Sequence, residues 1–477
     1  MDKPAITVYV VCHNYGRYLA QAVESVFGQS RTDWELIVID DGSTDDSVGI
    51  AEGLRRGHPD RTRVVAHDKP SGLQRSANEA LRMARGAYVM RLDADDWLDT
   101  NALLVLAHHL DTHPDDALVY PSYVYVDEQG NHLGVEHRWR IGLDTLVLDQ
   151  PAHGACTMVR KRVMKAIGGY DESNDRQDGH ELWLKVVNRY KVAQIGTPLF
   201  YYRQHGASLS SDHAQLLAAR ARIKRALVER NQGPVSPRTV AVVPAKNTYA
   251  DMPNVVLNPI AGKPLIDYTL DAALAVPTLE KVIVSTDDPA VADHCAERFP
   301  AVAVRMRPSE LSALTVTEDD ILRDALSAVE EGDFWADIVV LLGVHTPLRT
   351  PEQVQKAIDT LLLYDVDSVI SVHEDQHLYY VHGKHGLEPL NPSMHRRVRI
   401  EREALFEGNG AVRALWRDAL DMPPGTQPKV GHIVIPPSDG MHIKSAQDAW
   451  LAEQLVVARA SGRPLRPKSW VSRATSK

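Results

Sequence analysis

The sequence predicts an α/β protein built as two tandem domains, and three observations carry that prediction. Apolar, strand-like runs end repeatedly in polar or acidic residues and alternate with segments of helical period. The alternation is interrupted by a run of breakers, Asn231-Gln232-Gly233-Pro234-Val235-Ser236-Pro237-Arg238, and restarts at Thr239. At 477 residues the chain is also too long for one ordinary core. The expected division is a first domain at 1–230, a linker at 231–238, a second domain at 239–460 and a tail at 461–477.

Ile6 to Asn14 reads as a strand with a polar end, followed by a helix whose buried face is Leu19, Ala22, Val23, Val26 and Phe27. Glu35 to Asp46 (ELIVIDDGSTDD) is a second buried strand that breaks into acidic and small residues where a helix should start. Ala87 to Met90 is a third, closed by Arg91-Leu92-Asp93-Ala94-Asp95-Asp96. Open α/β sheets bind ligands at the carboxyl edge, and two carboxylates spaced Asp93-x-Asp95 there suit Mg²⁺ or Mn²⁺ shared with substrate phosphates. Asp40 and Asp41 would face a nucleotide base or ribose. Leu199 to Tyr202 is a later strand, after which His205 falls on a loop returning to the site, with Arg203 facing a diphosphate. In the second half, strands are expected at Val240–Val243, Lys281–Ser285, Ile338–Leu342 and Ser368–Val372. Helices are expected at Leu265–Ala275, Pro289–Phe299, Asp319–Glu330 and Pro351–Leu363, which together imply a mostly parallel sheet.

A net charge of −10 argues against nucleic-acid binding, which needs a basic footprint. Cys12, Cys156 and Cys295 are far apart and form neither a zinc pattern nor a disulfide framework, as expected in a reducing cytosol. No signal peptide and no apolar run of ~18 to 20 residues is visible, so a soluble cytoplasmic protein is expected. The segment Ala214 to Arg230 mixes Leu and Ala with Arg and Lys at helical spacing, which would allow peripheral membrane contact.

The first half resembles the family 2 glycosyltransferases of GT-A fold over about residues 4 to 215. The resemblance rests on VCHNYGRYL (11–19), VIDDGSTDD (38–46), the Asn78 helix, RLDADD (91–96), GACTMVRKRVMKAIGGYDE (154–172), QDGHELWLK (177–185) and YYRQHGASLS (201–210). It implies that Asp40 contacts uracil, that Asp93 is the first Asp of the Asp-x-Asp motif, and that Asp95 is the direct metal ligand. Asp178 then resembles the general base, which must take the proton of an acceptor hydroxyl attacking the anomeric carbon; Glu181, one turn on, is the alternative. Some members use a His at the position of His205 as a further metal or phosphate contact.

The second half resembles the CMP-sugar synthetases over about 239 to 458, through AGKPLIDYTL (261–270), VIVSTDDPAVAD (282–293), RPSEL (307–311), TPLRT (346–350), DSVISV (367–372) and NGAVRALWRDAL (409–420). It departs from them at the residues that do the chemistry. The family's Pro-Ala-Arg-Gly-Gly-Ser-Lys phosphate loop reads Pro244-Ala245-Lys246-Asn247-Thr248-Tyr249-Ala250 here, without its glycines and second cation. Its metal-binding Asp-Ile-Asp reads His442-Ile443-Lys444, and its Gln-Pro-Thr-Ser reads Gly343-Val344-His345-Thr346. An ammonium ~4 Å from a divalent ion, at an effective dielectric of about 20, is repelled by roughly 8 kcal/mol. This half is therefore expected to keep the fold and to have lost the reaction. The histidines His373, His377, His382 and His385 read as a solvated loop.

The expected function is an inverting, metal-dependent glycosyltransferase. It would use a UDP-sugar or similar nucleotide-sugar donor, with Mn²⁺ or Mg²⁺, and a glycan or lipid-linked acceptor in bacterial surface polysaccharide assembly. The second domain would support a homo-oligomer, as in the synthetases it resembles. The alternatives are a bifunctional enzyme that also makes a CMP-sugar, and a scaffold that binds glycans or nucleotide sugars without chemistry.

Overall fold

The computed structural model describes residues 3–136, 154–174, 177–186, 189–205, 213–231, 236–247, 252–313, 315–330, 334–375, 377–384, 386–390, 405–423 and 426–462, the side chains of Asp178, His213 and Ala214 excepted. The chain divides into two compact units, Met1–Ile223 with Gln376–Ala404, and Lys224–Asp375 with Leu405–Lys477. Both are α/β.

The first unit opens with β1 (Ile6–Cys12), α1 (Gly16–Phe27), β2 (Trp34–Asp40), α2 (Ser47–Arg55), β3 (Thr62–Ala66), α3 (Leu73–Met83) and β4 (Tyr88–Asp93). It continues with β5 (Trp97–Leu98), α4 (Ala102–Thr112), β6 (Asp116–Val126), β7 (His132–Glu136), β8 (Met158–Arg160), α5 (Lys161–Ala166), α6 (Asp178–Val186), β9 (Lys191–Arg203) and the start of α7 (His213–Asn231). The strands form a sheet ordered β3-β2-β1-β4-β8-β6-β9-β5, with β7 beside β6. β3, β2, β1 and β4 are parallel, whereas β8 runs antiparallel to both β4 and β6. Such parallel strands are covered on both faces, which is why they read as unbroken apolar runs rather than alternating ones. Ile6, Val8 and Val10 pack with Leu19, Ala22, Val23 and Val26 of α1 and with Leu103 and Leu106 of α4. Tyr9 faces the other way, with Ile37, Ala77, Ala80, Leu182 and Trp183. Each fully buried leucine or valine stabilises this packing by about 1.5–3 kcal/mol.

The second unit contains β10 (Thr239–Ala245), the short pair β11 (Pro259–Ile260) and β12 (Lys263–Pro264), α8 (Leu265–Leu274), β13 (Leu279–Thr286), α9 (Pro289–Arg298), β14 (Val302–Met306), α10 (Glu318–Leu326), β15 (Ile338–Leu342), α11 (Pro351–Leu363) and β16 (Ser368–Asp375). After the hairpin β17 (Tyr380–Gly383) and β18 (Gly386–Pro389), which falls with the first unit, come β19 (Leu405–Trp416), β20 (Val430–Val434) and α12 (Ala446–Ala460). The main sheet runs β14-β13-β10-β15-β19-β16-β20, and β19 alone is antiparallel to its neighbours. Helix starts follow local chemistry. Asp288 accepts from the Ala290 amide before Pro289 opens α9, and Thr317 with Asp320 forms a capping box on α10. α10 ends at Leu326, four residues short of the Glu330 read from periodicity.

The last turns of α7 belong to this unit. Lys224 is fully buried and its Nζ donates to Thr360 Oγ1 at 3.0 Å, and Arg225 pairs with Asp359 at 2.9 Å. Two cations of the Ala214 to Arg230 segment, which would allow peripheral membrane contact, are thus turned onto α11. Among the described residues no helix is long and apolar enough to cross a membrane.

Candidate functional site

The parallel register places the predicted acidic residues on one edge. Cys12 is level with Asp40, and Val11 with Asp93, so β1, β2 and β4 end together at the carboxyl edge. Asp40 is 1% exposed. Its Oδ2 accepts the Ser43 amide at 3.0 Å, while its buried Oδ1 has no hydrogen-bond partner among the described residues. A buried carboxylate oxygen without a donor costs free energy, so such an atom at a ligand-binding edge points to a donor supplied by a ligand.

Asp41 is directed into the protein. Its Oδ1 accepts from Ser71 N (2.9 Å), Ser71 Oγ (2.7 Å) and Ser76 Oγ (3.0 Å) and faces His67 Nδ1 at 2.9 Å, while Oδ2 accepts from Gly72 N at 2.8 Å. Burial opposes its ionisation, but the hydrogen bonds from His67, Ser71 and Gly72 prevail and hold the carboxyl well below the usual range. His67 also meets Glu79 at 2.9 Å; burial disfavours its charged form, yet the two carboxylates raise its pKa. Asp41 thereby ties the loop after β2 to the loop entering α3. At Gly42 the backbone has φ +69° and a Cβ would stand 2.5 Å from Lys69 and Pro70, so only glycine fits the closure.

Asp93 and Asp95 meet different side chains. Arg91 Nε lies 2.8 Å from Asp93 Oδ1, and His205 Nε2 lies 2.9 Å from Asp95 Oδ2. The His205 side chain is nearly fully buried, with ring centroids 5.6 Å from Tyr15 and 5.7 Å from Tyr18. Burial, with the charges of Asp95 and Asp93, pushes the Tyr15 hydroxyl up to about 12, which locates both carboxylates near that phenol. Arg203 is a bracket beneath this group. Its Nε donates to the Asp95 carbonyl at 2.9 Å, Nη1 to the Glu128 carbonyl at 2.7 Å and Nη2 to Gln21 Oε1 at 2.7 Å, between the rings of Tyr18 and Trp97.

Asp96, which the sequence reading passed over, is 1% exposed. Its Oδ1 accepts the Arg203 amide at 2.9 Å, and burial, then the charges of Asp95 and Asp93, raises its pKa well above the carboxylate range. The signal was present as a third Asp closing Asp93-Ala94-Asp95-Asp96, but three carboxylates within four residues do not reveal which one is buried.

Asp178 opens α6, and its side chain lies outside the described residues, as do residues 206–210 of the YYRQHGASLS motif. Earlier in the loop before α6, Asn78 holds the backbone at Tyr170. Asn78 Nδ2 donates to the Tyr170 carbonyl (2.8 Å) and to Glu172 (3.1 Å), while Asn78 Oδ1 accepts the Tyr170 amide (2.9 Å). Gly169 has φ +69°, and a Cβ there would stand 2.5 Å from Asn78 Oδ1. Glu181, the alternative base, is buried, accepts the Asp171 amide at 3.0 Å and pairs with Lys185. Lys185 in turn donates to the Gly169 carbonyl at 2.8 Å.

In the second unit, His345 after β15 stacks on His442, with centroids 5.3 Å apart and planes 17° apart. Burial and the neighbouring His442 push His345 down to about 4; burial and the charge of Lys444 lower His442. His442 stands where the resemblance called for the first Asp of Asp-Ile-Asp, and His345 where it called for the Thr of Gln-Pro-Thr-Ser. Lys444 is exposed, and Lys246 Nζ donates to the Ser312 carbonyl at 2.9 Å. Thr248, Tyr249 and Ala250 of the phosphate-loop segment, and His385, lie outside the described residues.

Comparison with known proteins bears out both resemblances. Residues 7–167 match the family model "Glycosyl transferase family 2", and residues 240–385 match "Cytidylyltransferase". The chain is 28% identical over 207 residues to a chondroitin synthase of Escherichia coli, covering 43% of this chain and 30% of that protein. It is 34% identical over 139 residues to an N-acylneuraminate cytidylyltransferase of Streptococcus agalactiae, covering 29% of this chain and 32% of that one. It spans about a third or less of the length of these relatives. Among solved structures, S. aureus TarS 1–349 in complex with UDP-GlcNAc is 18% identical with a TM-score of 0.41, covering 48% of this chain and 68% of that one.

Proposed function

We propose that the domain read at residues 1–230 is an inverting glycosyltransferase that moves a sugar from a nucleoside-diphosphate donor, a UDP-sugar by preference, to a glycan or lipid-linked acceptor. The observation that carries this reading is the buried Oδ1 of Asp40, without a hydrogen-bond partner among the described residues, one register step beyond Asp93 at the edge where Asp95 follows. The family match over 7–167 supports it, and the chondroitin synthase relative supports a polysaccharide product.

The donor set suits a hard divalent ion: carboxylates of Asp93 and Asp95, with His205 against Asp95, would hold Mn²⁺ or Mg²⁺. When bound, such an ion supplies neutralisation of the departing diphosphate. The chain's own residues do the rest. Asp40 Oδ1 accepts an N–H of the base, and Asp41 fixes the loop that carries it. Arg203 holds the Asp95 backbone in place. Asp178 takes the proton of the acceptor hydroxyl as it attacks the anomeric carbon from the face opposite the diphosphate, so configuration inverts. Asp95→Ala should abolish turnover and metal-dependent donor binding with the fold retained. Equal donor affinity with and without Mn²⁺ in the parent would refute the metal site.

The second unit, residues 239–460 after a linker at 231–238, is read as a cytidylyltransferase fold without its reaction, because His345, His442 and Lys444 stand where the resemblance requires other groups. It would serve as an oligomerisation surface, in a protein working at the cytoplasmic side of the membrane. The bifunctional reading is favoured by one observation, the 34% identity to an N-acylneuraminate cytidylyltransferase.

A further inference from the structure

A second cluster of ligating side chains lies on the opposite edge of the first unit's sheet. β8 is antiparallel to both β4 and β6, so β6 runs with β4, and its first residue, Asp116, stands at the amino edge while Asp93 and Asp95 close the carboxyl edge. There α4 delivers His109 in its last turn and His113 just past its end, four residues apart and so on one helical face. Their rings stack with centroids 4.2 Å apart and planes 8° apart. Asp116 is 3% exposed, and its Oδ2 lies 2.8 Å from His109 Nε2. One ligand atom from each of the three residues lies within 4.8 Å of the others. Nitrogen and oxygen ligands at zinc-like bond lengths sit about 3.3 Å apart around a tetrahedral ion, so a small rotation of the exposed His113 completes the set.

We propose that His109, His113 and Asp116 bind an imidazole-preferring divalent ion, Zn²⁺ in particular, at a site separate from the donor site. His113 Nδ1 lies 3.0 Å from the His109 carbonyl. Donation of Nδ1–H to that oxygen leaves the lone pair on Nε2, the arrangement by which metal-binding histidines are oriented. Two imidazoles and one carboxylate select Zn²⁺, Co²⁺ or Ni²⁺ over the harder Mg²⁺. Among the described residues, Arg162 Nη2 donates to the Pro114 carbonyl at 3.3 Å. Arg160 donates to the carbonyls of Asp116 (2.8 Å), Leu110 (2.7 Å) and His113 (3.0 Å), away from the carboxylate. Lys191 Nζ, 3.3 Å from Asp116 Oδ1 on a 62% exposed side chain, is free to move away as the ion takes up the carboxylate. The ion would clip the end of α4 to the start of β6, far from the reacting atoms.

The test is Co²⁺ and Zn²⁺ titration of the full chain, followed by visible absorption and by competition with a chromogenic chelator. The parent should show the strong visible bands of a nitrogen-ligated, low-coordinate Co²⁺ and lose them to stoichiometric Zn²⁺. His113→Ala, a change at an exposed position, should abolish the bands and weaken Zn²⁺ at least tenfold, with circular dichroism unchanged. Asp116→Asn should do the same, whereas Asp95→Ala should leave both signals in place. Unchanged Zn²⁺ affinity in His113→Ala, or loss of the bands in Asp95→Ala, would overturn the assignment.

Discussion

Replacing Asn78 by Ala should uncouple the acceptor side of the site from the donor side. Asn78 makes two partly buried hydrogen bonds to the backbone of Tyr170 and a third, exposed one to Glu172. Each partly buried bond contributes about 1 kcal/mol net, and leaving the Tyr170 amide without an acceptor adds about 1–2 kcal/mol, so the substitution should cost about 3–4 kcal/mol. For a unit of this size that corresponds to a Tm lower by on the order of 5–15 °C. The kinetic effect is more specific. The loop held by Asn78 leads into α6, which Asp178 opens, and a displacement of ~1 Å of a reacting group costs ~10²-fold. The expected outcome is a kcat reduced tenfold or more with donor KM unchanged, because the groups around Asp40, Asp93 and Asp95 are untouched. The assays are urea unfolding and initial rates over a donor range at saturating acceptor. A loss under about 0.5 kcal/mol, or a raised donor KM with normal kcat, would refute the reasoning.

Asp178→Asn keeps the size of the side chain but cannot take a proton, so it should lower kcat by ~10²-fold or more with donor affinity unchanged; near-normal turnover would move the base elsewhere. Glu181→Gln, which disturbs the bonds to Asp171 and Lys185, should instead lower stability and leave the pH dependence of kcat where it was; a shifted profile would make Glu181 the base. The Asp41–His67 pair makes stability depend on pH in two opposite senses. The lowered Asp41 pKa contributes stability that is full above the unfolded value of about 4 and is lost as pH falls, whereas the raised His67 pKa contributes stability that is full below about pH 6.5 and is lost as pH rises through its folded value. His67→Gln should therefore flatten the alkaline side of a Tm-against-pH curve, and an unchanged slope would count against the pairing. Finally, the full chain should release no pyrophosphate from CTP with acidic sugars and Mg²⁺; release above background would establish the bifunctional reading.

The strands and the edge they share were legible because burial on both faces forces unbroken apolar runs, and those runs end where the backbone turns toward the ligand side. Ile338–Leu342 and Pro351–Leu363 have in the structure the bounds that periodicity and the Thr350-Pro351 helix start imply. The pairing of side chains was not legible, since it depends on which neighbour each polar group meets. Asp40 and Asp41 are adjacent in sequence and look interchangeable, yet Asp40 closes β2 and Asp41 begins the loop after it. One keeps an unmatched oxygen at the edge and the other is saturated by Ser71, Ser76, Gly72 and His67. Arg203 shows the same limit: its charge suggested a diphosphate contact, but three carbonyl and amide oxygens and two aromatic rings take up the guanidinium. The polar residues around a site thus fall into those that face its ligand and those that build the frame, and sequence spacing alone does not separate them. The distinction has a measurable consequence. Substituting a frame residue such as Asp41 should cost stability without donor, whereas on the proposed reading substituting Asp40 should cost less without donor than with it, because its unmatched oxygen would then meet an N–H of the base.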